Sequence, residues 1–273
     1  MRLHHRHWGA AGKPALLFLH GFMGDSGEWE PVAKLLQDRY FCVAVDLPGH
    51  GGSEVPVASP FIETQEGYPL GTDWIRAMDA LLEDLKTNGF LAHGWKAIVG
   101  YSMGGRMAMA LALAIPNQFG GMVLESASPG IAGMEERARR LEADLRLAGE
   151  LASMPLRSFV ERWYTQPMFG PMDDREALFE ERSRQDPPAL AAAMRWLSVG
   201  RQPDYAPRLA VEWKKPLLCL AGSLDGKYAS GMEALAGRAA FGRFKLAPGS
   251  GHNVHRHDPG AYGAWLSEFL AGY

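Results

Sequence analysis

The sequence predicts an α/β fold, a mostly parallel doubly wound sheet with a helical cap inserted into it. Two observations predict it. Short apolar runs that end in small or polar residues alternate with amphipathic stretches, and the strand signal then vanishes over residues 129–208. An unbroken apolar run is a strand buried on both faces, as in parallel sheets, and parallel strands need crossover connections of the kind the amphipathic stretches supply.

In chain order the runs are "PALLFLH" (14–20), "YFCVAVD" (40–46), "WKAIVGYS" (95–102), "GGMVLESA" (120–127) and "KPLLCLAGS" (215–223). Helical patterns fall between them, at 74–85 and 104–114. The strand-free region holds four further amphipathic stretches, 134–151, 156–164, 175–185 and 189–199. Turn residues bracket it, Ser128-Pro129-Gly130 on one side and residues 203–207 on the other. The expected division is a core of residues 1–128 and 207–273 and a cap of residues 129–206. "SEVPVASPFIETQEGYPLG" (53–71), rich in Pro, Gly and Ser, reads as a surface loop near the strand ends. There are no internal repeats.

At 273 residues, 47% hydrophobic and 22% charged, the chain has the makings of a full core. A net charge of -3 and a pI near 6.3 offer no general attraction to nucleic acid or anionic membrane, so neither is an expected partner. The two cysteines, Cys42 and Cys219, lie inside apolar runs and read as free buried thiols of a reducing compartment. "MRLHHRHWG" lacks the apolar stretch of a secretion signal, and nothing approaches the roughly 20 apolar residues of a membrane span. A cytoplasmic monomer or homodimer is expected.

The chemistry is concentrated in "GYSMGG" (100–105). Gly100-Tyr101-Ser102-Met103-Gly104 fits G-x-S-x-G, in which a strand turns into a helix so sharply that only small flanking residues avoid a clash, lifting the serine clear of the sheet. A neutral hydroxyl is a poor nucleophile or base, so a histidine must take its proton and a carboxylate must orient that histidine. In the order Ser, Asp, His, the candidates are Ser102, Asp225 in "AGSLDGKY" and His252 in "PGSGHNVH". His255 and His257 compete, but Gly249, Ser250 and Gly251 allow the tight loop that favours His252. An oxyanion hole needs two backbone N–H groups, and Met103 after the serine and Phe22 in "LHGF" are placed to supply them. "DLPGHGGS" (46–53) lacks the spacing of a phosphate loop and reads as structural. His4, His5 and His7 read as surface or strand residues rather than metal ligands. The triad requires no metal and no organic cofactor.

These motifs together resemble the α/β-hydrolase superfamily, over nearly the whole chain. Within it, "DLPGHGGS", "GYSMGGR", "SPGI", "FVERWYTQPMF", "RSRQDPPALAAAMR", "QPD" and "GHNVHRHDP" are similar to the 2-succinyl-6-hydroxy-2,4-cyclohexadiene-1-carboxylate (SHCHC) synthases of menaquinone biosynthesis. The resemblance implies an α/β-hydrolase fold and a lyase that eliminates pyruvate from a cyclohexene bearing several carboxylates. A lid for such a polycarboxylate should present arginines, because guanidinium grips carboxylate through paired hydrogen bonds. Arg106, one helical turn after Ser102, and Arg140 and Arg182 in the cap are the expected substrate ligands. Arg137, Arg139, Arg146 and Arg184 read as solvated. The resemblance also puts Tyr101 and Trp163 in the pocket. The chain departs from the family at His257, where a glutamate is usual, and in a longer 53–71 loop. Two rival readings use the same residues: a serine hydrolase for small anionic esters or diketones, and a non-catalytic relative that binds a small ligand.

Overall fold

All five apolar runs form strands in a computed structural model of the chain, which describes residues 2–55, 72–92 and 94–273. The strands are β1 (His5–Trp8), β2 (Ala15–Leu19), β3 (Phe41–Val45), β4 (Trp95–Tyr101), β5 (Met122–Glu125), β6 (Leu217–Gly222) and β7 (Gly242–Ala247). They make one sheet in the order β1-β3-β2-β4-β5-β6-β7, with β1 antiparallel to β3 and every other pairing parallel. Sheet order runs outward from the centre in both directions, so the crossover helices must cover both faces. Most of the expected 53–71 loop, residues 56–71, lies outside the described residues.

The helices are α1 (Glu30–Leu36), α2 (Thr72–Thr87), α3 (Met103–Ala114), α4 (Met134–Ser153), α5 (Leu156–Trp163), α6 (Arg175–Arg182), α7 (Pro187–Trp196), α8 (Ala206–Glu212), α9 (Gly226–Arg238), α10 (Val254–His257) and α11 (Pro259–Ala271). Successive strand residues point to opposite faces. Leu17, Val43, Ile98 and Cys219 accordingly pack with α2, α3, α8 and α9, while Phe18, Ala44, Val99 and Leu220 pack with α1 and α11. Each fully buried Leu or Ile contributes on the order of 1.5–3 kcal/mol relative to exposure. Cys42 and Cys219 are free and buried, and burial pushes the Cys42 thiol up to about 12.

Between β5 and β6 the chain leaves the sheet for α4 to α7. These helices have an apolar cluster of their own, including Ala148, Leu151, Phe159, Phe179, Leu190 and Met194, into which Met23 of the β2–α1 loop projects. They sit over the loops that follow the strands: Gly51 N–H donates to Gln185, whose side-chain amide donates to Gly24 O at 3.1 Å. No helix among the described residues is long and apolar enough to cross a membrane.

Candidate active site

Ser102 sits between β4 and α3 with φ 49° and ψ -107°, a region serine rarely adopts and one that costs on the order of 1–3 kcal/mol. Close packing holds it there. A Cβ on Gly104 would collide with the carbonyl of Leu19 in β2, and one on Gly100 would lie 2.5 Å from Gly104 O. Ser102 N–H donates to Glu125 O at 2.8 Å, tying the turn to β5.

Asp225 ends the loop after β6, and His252 lies in the tight loop after β7, where Gly249 takes a positive φ of 71°. Two hydrogen bonds fix the loop at His252: its own N–H donates to Met168 O at 2.8 Å, and the Asn253 side chain caps α10 by accepting from Arg256 N–H. In the resulting array His252 Nδ1–H donates to Asp225 Oδ2 at 2.6 Å, and Nε2 accepts from Ser102 Oγ at 3.0 Å. Asp225 and His252 are buried, and rings of Tyr101, Phe169 and Tyr228 surround the imidazole. Three side chains from three strand-end loops thus form a relay in which the histidine can take the serine proton.

Met103 is the first residue of α3, so its N–H has no carbonyl within the helix to bond and is available to a ligand. Phe22 follows a loop fixed by His20, whose Nδ1–H donates to Gly21 O at 2.7 Å and whose Nε2 accepts from Leu47 N–H at 2.9 Å. Burial lowers the His20 pKa, in keeping with that neutral tautomer. In "DLPGHGGS", Asp46 accepts the N–H groups of Ser26 and Gly52, so this loop has structural work.

Ser102, His252, Phe22 and Met103 open onto a cavity of about 430 Å³. Tyr101, Trp163, Arg106 and Arg140 also line it, as do Asp144, Lys227 and Tyr228, which sequence reasoning did not single out. Arg106 is 7% exposed, donates to Leu197 O at 2.6 Å and Gln202 Oε1 at 3.1 Å, and lies 5.2 Å from the Trp74 ring centre. Neither acceptor is charged. Burial, with Arg140 nearby, pulls its guanidinium down to about 10, so it is still a cation at neutral pH. Arg140 spends only its Nε on Asp144, at 2.9 and 3.0 Å, and Ser198 completes the hold on that carboxylate at 2.7 Å. Among the described residues its two terminal nitrogens have no hydrogen-bond partner.

Arg182 does not join them. It is 1% exposed and donates to Glu28 Oε1 at 2.6 Å and Met23 O at 3.0 Å, outside the cavity lining. The expectation that it reaches substrate is corrected for this reason: its charge is already matched by a buried carboxylate. Burial pushes the Glu28 carboxyl up, but Arg182 and His255 reverse this and hold it below the usual carboxylate range. His255 stacks on Trp29 at 4.0 Å and pairs through Nδ1 with Glu125 at 2.7 Å. Burial lowers its pKa, but Glu125 and Glu28 outweigh that and lift it to about 9. It is a structural cation, and the other competitor, His257, is exposed. His4 and His5 pair with Asp46 and Asp84. Arg139, Arg146 and Arg184 are exposed, whereas Arg137 is half-buried on Gln202 O. The signal for Lys227 was present, since it stands two residues after Asp225; the i,i+4 spacing pairs Asp144 with Arg140, but only the fold brings Asp144 to the cavity and Glu28 to Arg182.

A strained serine at a strand-to-helix turn, hydrogen-bonded through histidine to aspartate at the carboxyl ends of a mostly parallel sheet, defines the class: an α/β enzyme scaffold of the serine-triad type. The chain belongs to the alpha/beta hydrolase family, which it matches over residues 16–265. It is 34% identical over 264 residues to the 2-succinyl-6-hydroxy-2,4-cyclohexadiene-1-carboxylate synthase of Enterobacter sp. (strain 638), covering 96% of this chain and 93% of that one. To the protein of the same name from Escherichia coli O157:H7 it is 35% identical, covering 96% of each. The structure of MenH from S. aureus superposes with a TM-score of 0.84 at 28% identity, covering 98% of each chain.

Proposed function

We propose that the protein is an SHCHC synthase, a carbon–oxygen lyase of menaquinone biosynthesis that eliminates pyruvate from 2-succinyl-5-enolpyruvyl-6-hydroxy-3-cyclohexene-1-carboxylate. Full-length similarity to synthases of that name supports it. The observation that carries it is Arg106: a buried guanidinium beside Ser102 whose hydrogen-bond acceptors among the described residues are all neutral is suited to receive a substrate carboxylate. An esterase for neutral lipids would want an apolar wall there.

In this reading His252, oriented by Asp225, takes the Ser102 proton, and the serine oxygen removes a ring C–H proton as general base. The electron pair moves through the ring, the bond from ring carbon to enol-ether oxygen breaks, and enolpyruvate leaves to become pyruvate on protonation of its methylene carbon. The N–H groups of Phe22 and Met103 receive the negative charge that develops on a substrate oxygen. Arg106 and Arg140 hold carboxylates, with Tyr101 and Trp163 as walls, so that the scissile bond meets Ser102. Residues 129–206 act as a cap over a core of 1–128 and 207–273. Two buried free thiols support a cytoplasmic location.

The test is pyruvate release from the enolpyruvyl cyclohexene, measured beside p-nitrophenyl ester hydrolysis in wild type and Ser102→Ala. Ser102-dependent pyruvate release with feeble esterase activity is expected. Ester cleavage without pyruvate would make the protein a hydrolase for another anionic substrate.

A further inference from the structure

The proposed substrate carries three carboxylates, on the ring, the succinyl arm and the enolpyruvyl group. With Arg182 neutralised by Glu28, the cap offers one arginine to the cavity and α3 another. Two cations remain for three anions. We propose that Lys227, in the first turn of α9, is the third carboxylate ligand and a determinant of specificity for tricarboxylates; this rests on the elimination reading above.

Three observations support the assignment. Lys227 lines the same cavity as Ser102 and both arginines. Its neighbour Tyr228 lies with its ring centre 4.5 Å from that of His252 and feels both Arg106 and Arg140, so Lys227 is one residue from the wall that the arginines face. Its charge has no other use: the side chain is exposed, has no carboxylate partner among the described residues, and sits at a helix N-terminus, where the backbone dipole disfavours a cation. A lysine kept in a place that does nothing for its helix, at the rim of an anion site, is placed for the ligand. Among the described residues the one carboxylate lining the cavity beside the triad, Asp144, is already held by Arg140 and Ser198. An ammonium also suits the rim, because it is a point charge that accepts a carboxylate from many directions, whereas Arg106 is fixed by Leu197, Gln202 and Trp74.

The test compares Lys227→Met and Lys227→Arg with wild type in two assays. In turnover, Lys227→Met should raise KM about tenfold while kcat changes less than about threefold, and Lys227→Arg should restore most of the loss. In calorimetric titration with no chemistry, wild type should bind tricarballylate more tightly than glutarate, and Lys227→Met should abolish that preference with an unchanged unfolding midpoint. Equal preference in wild type and Lys227→Met would overturn the assignment, as would a KM change under about twofold. Wild type that binds tricarballylate preferentially but releases no pyruvate would sink the elimination reading while leaving Lys227 to be decided by titration. Wild type that does neither would sink both.

Discussion

Two polar centres in this molecule treat their arginines differently: one is fully buried and matched by carboxylates, the other opens onto the cavity. In the first, Arg182, Glu28, His255 and Glu125 match charge with charge: two cations face two anions, and Asn253 fills a further position on Glu28. In the second, Arg106, Arg140 and Lys227 line a cavity whose one non-triad carboxylate among the described residues is already engaged. Burial alone therefore does not separate a structural arginine from a binding one. Arg182 is the more buried of the pair and is paired with a carboxylate, whereas Arg106 hydrogen-bonds only neutral acceptors among the described residues. The distinguishing quantity is the local balance of charge, because a buried ion without a partner is costly and is retained where a ligand completes it.

The sharpest way to test this contrast is at the serine. Ser102→Ala should lower kcat for pyruvate release by about 10⁴-fold with little change in the unfolding midpoint, since it removes the base and keeps the fold. A loss under tenfold would show that the cavity chemistry runs through another group. Next comes the matched centre. Arg182→Met strands Glu28 without its guanidinium and should cost about 3–5 kcal/mol, lowering the melting temperature by roughly 10 °C. Should it instead raise KM and leave stability intact, Arg182 belongs with the ligands after all. For the unmatched centre the pattern reverses: Arg106→Met should raise KM about 30- to 100-fold and reduce the melting temperature by less than half of the Arg182→Met loss, because no carboxylate is orphaned. The smallest effect is a pH dependence. Folded His255 keeps its proton to about pH 9, whereas the unfolded chain releases it near 6.5. Its stabilising contribution is thus complete below pH 6.5 and is lost as pH rises through 9, so melting temperature should fall from pH 7 to 9.5 in wild type and fall less in His255→Gln.

What could be read from the sequence divides along physical lines. The five interior strands announced themselves because a strand buried on both faces must be apolar throughout, and the ends of "WKAIVGYS" and "KPLLCLAGS" placed Ser102 and Asp225 near the rim where ligands gather. The two edge strands did not. β1 reads "HRHW" and β7 reads "GRFKLA", with side chains that face water, so neither gives an apolar run. The helix stretches foreseen in residues 134–199 lie within about three residues of the observed α4 to α7, because amphipathic periodicity survives in a small helical layer. Arg182 was misjudged for a reason that no local pattern can cure. Its partner Glu28 is 154 residues away, and chain order carries no information on whether an arginine will meet a carboxylate. Asp144 shows the same limit from the other side, since its hold on Arg140 is visible as an i,i+4 spacing but its place in the cavity is not.

The hydrogen bond from the His252 amide to Met168 O, together with the seating of Gly251 against Phe169, joins the imidazole of the candidate triad to the turn that ends with Phe169. The helical layer is therefore more than a door over the chemistry. A chimera that imports a relative's cap onto this sheet would have to carry the 167–169 turn and the 249–253 loop as one transplant. If the two came from different parents, the His252 backbone would lose its hydrogen bond to Met168 O. Diversification of the binding wall is accordingly easiest in α4 and α7, away from that joint, and hardest at the short segment where cap and catalytic loop share a backbone bond.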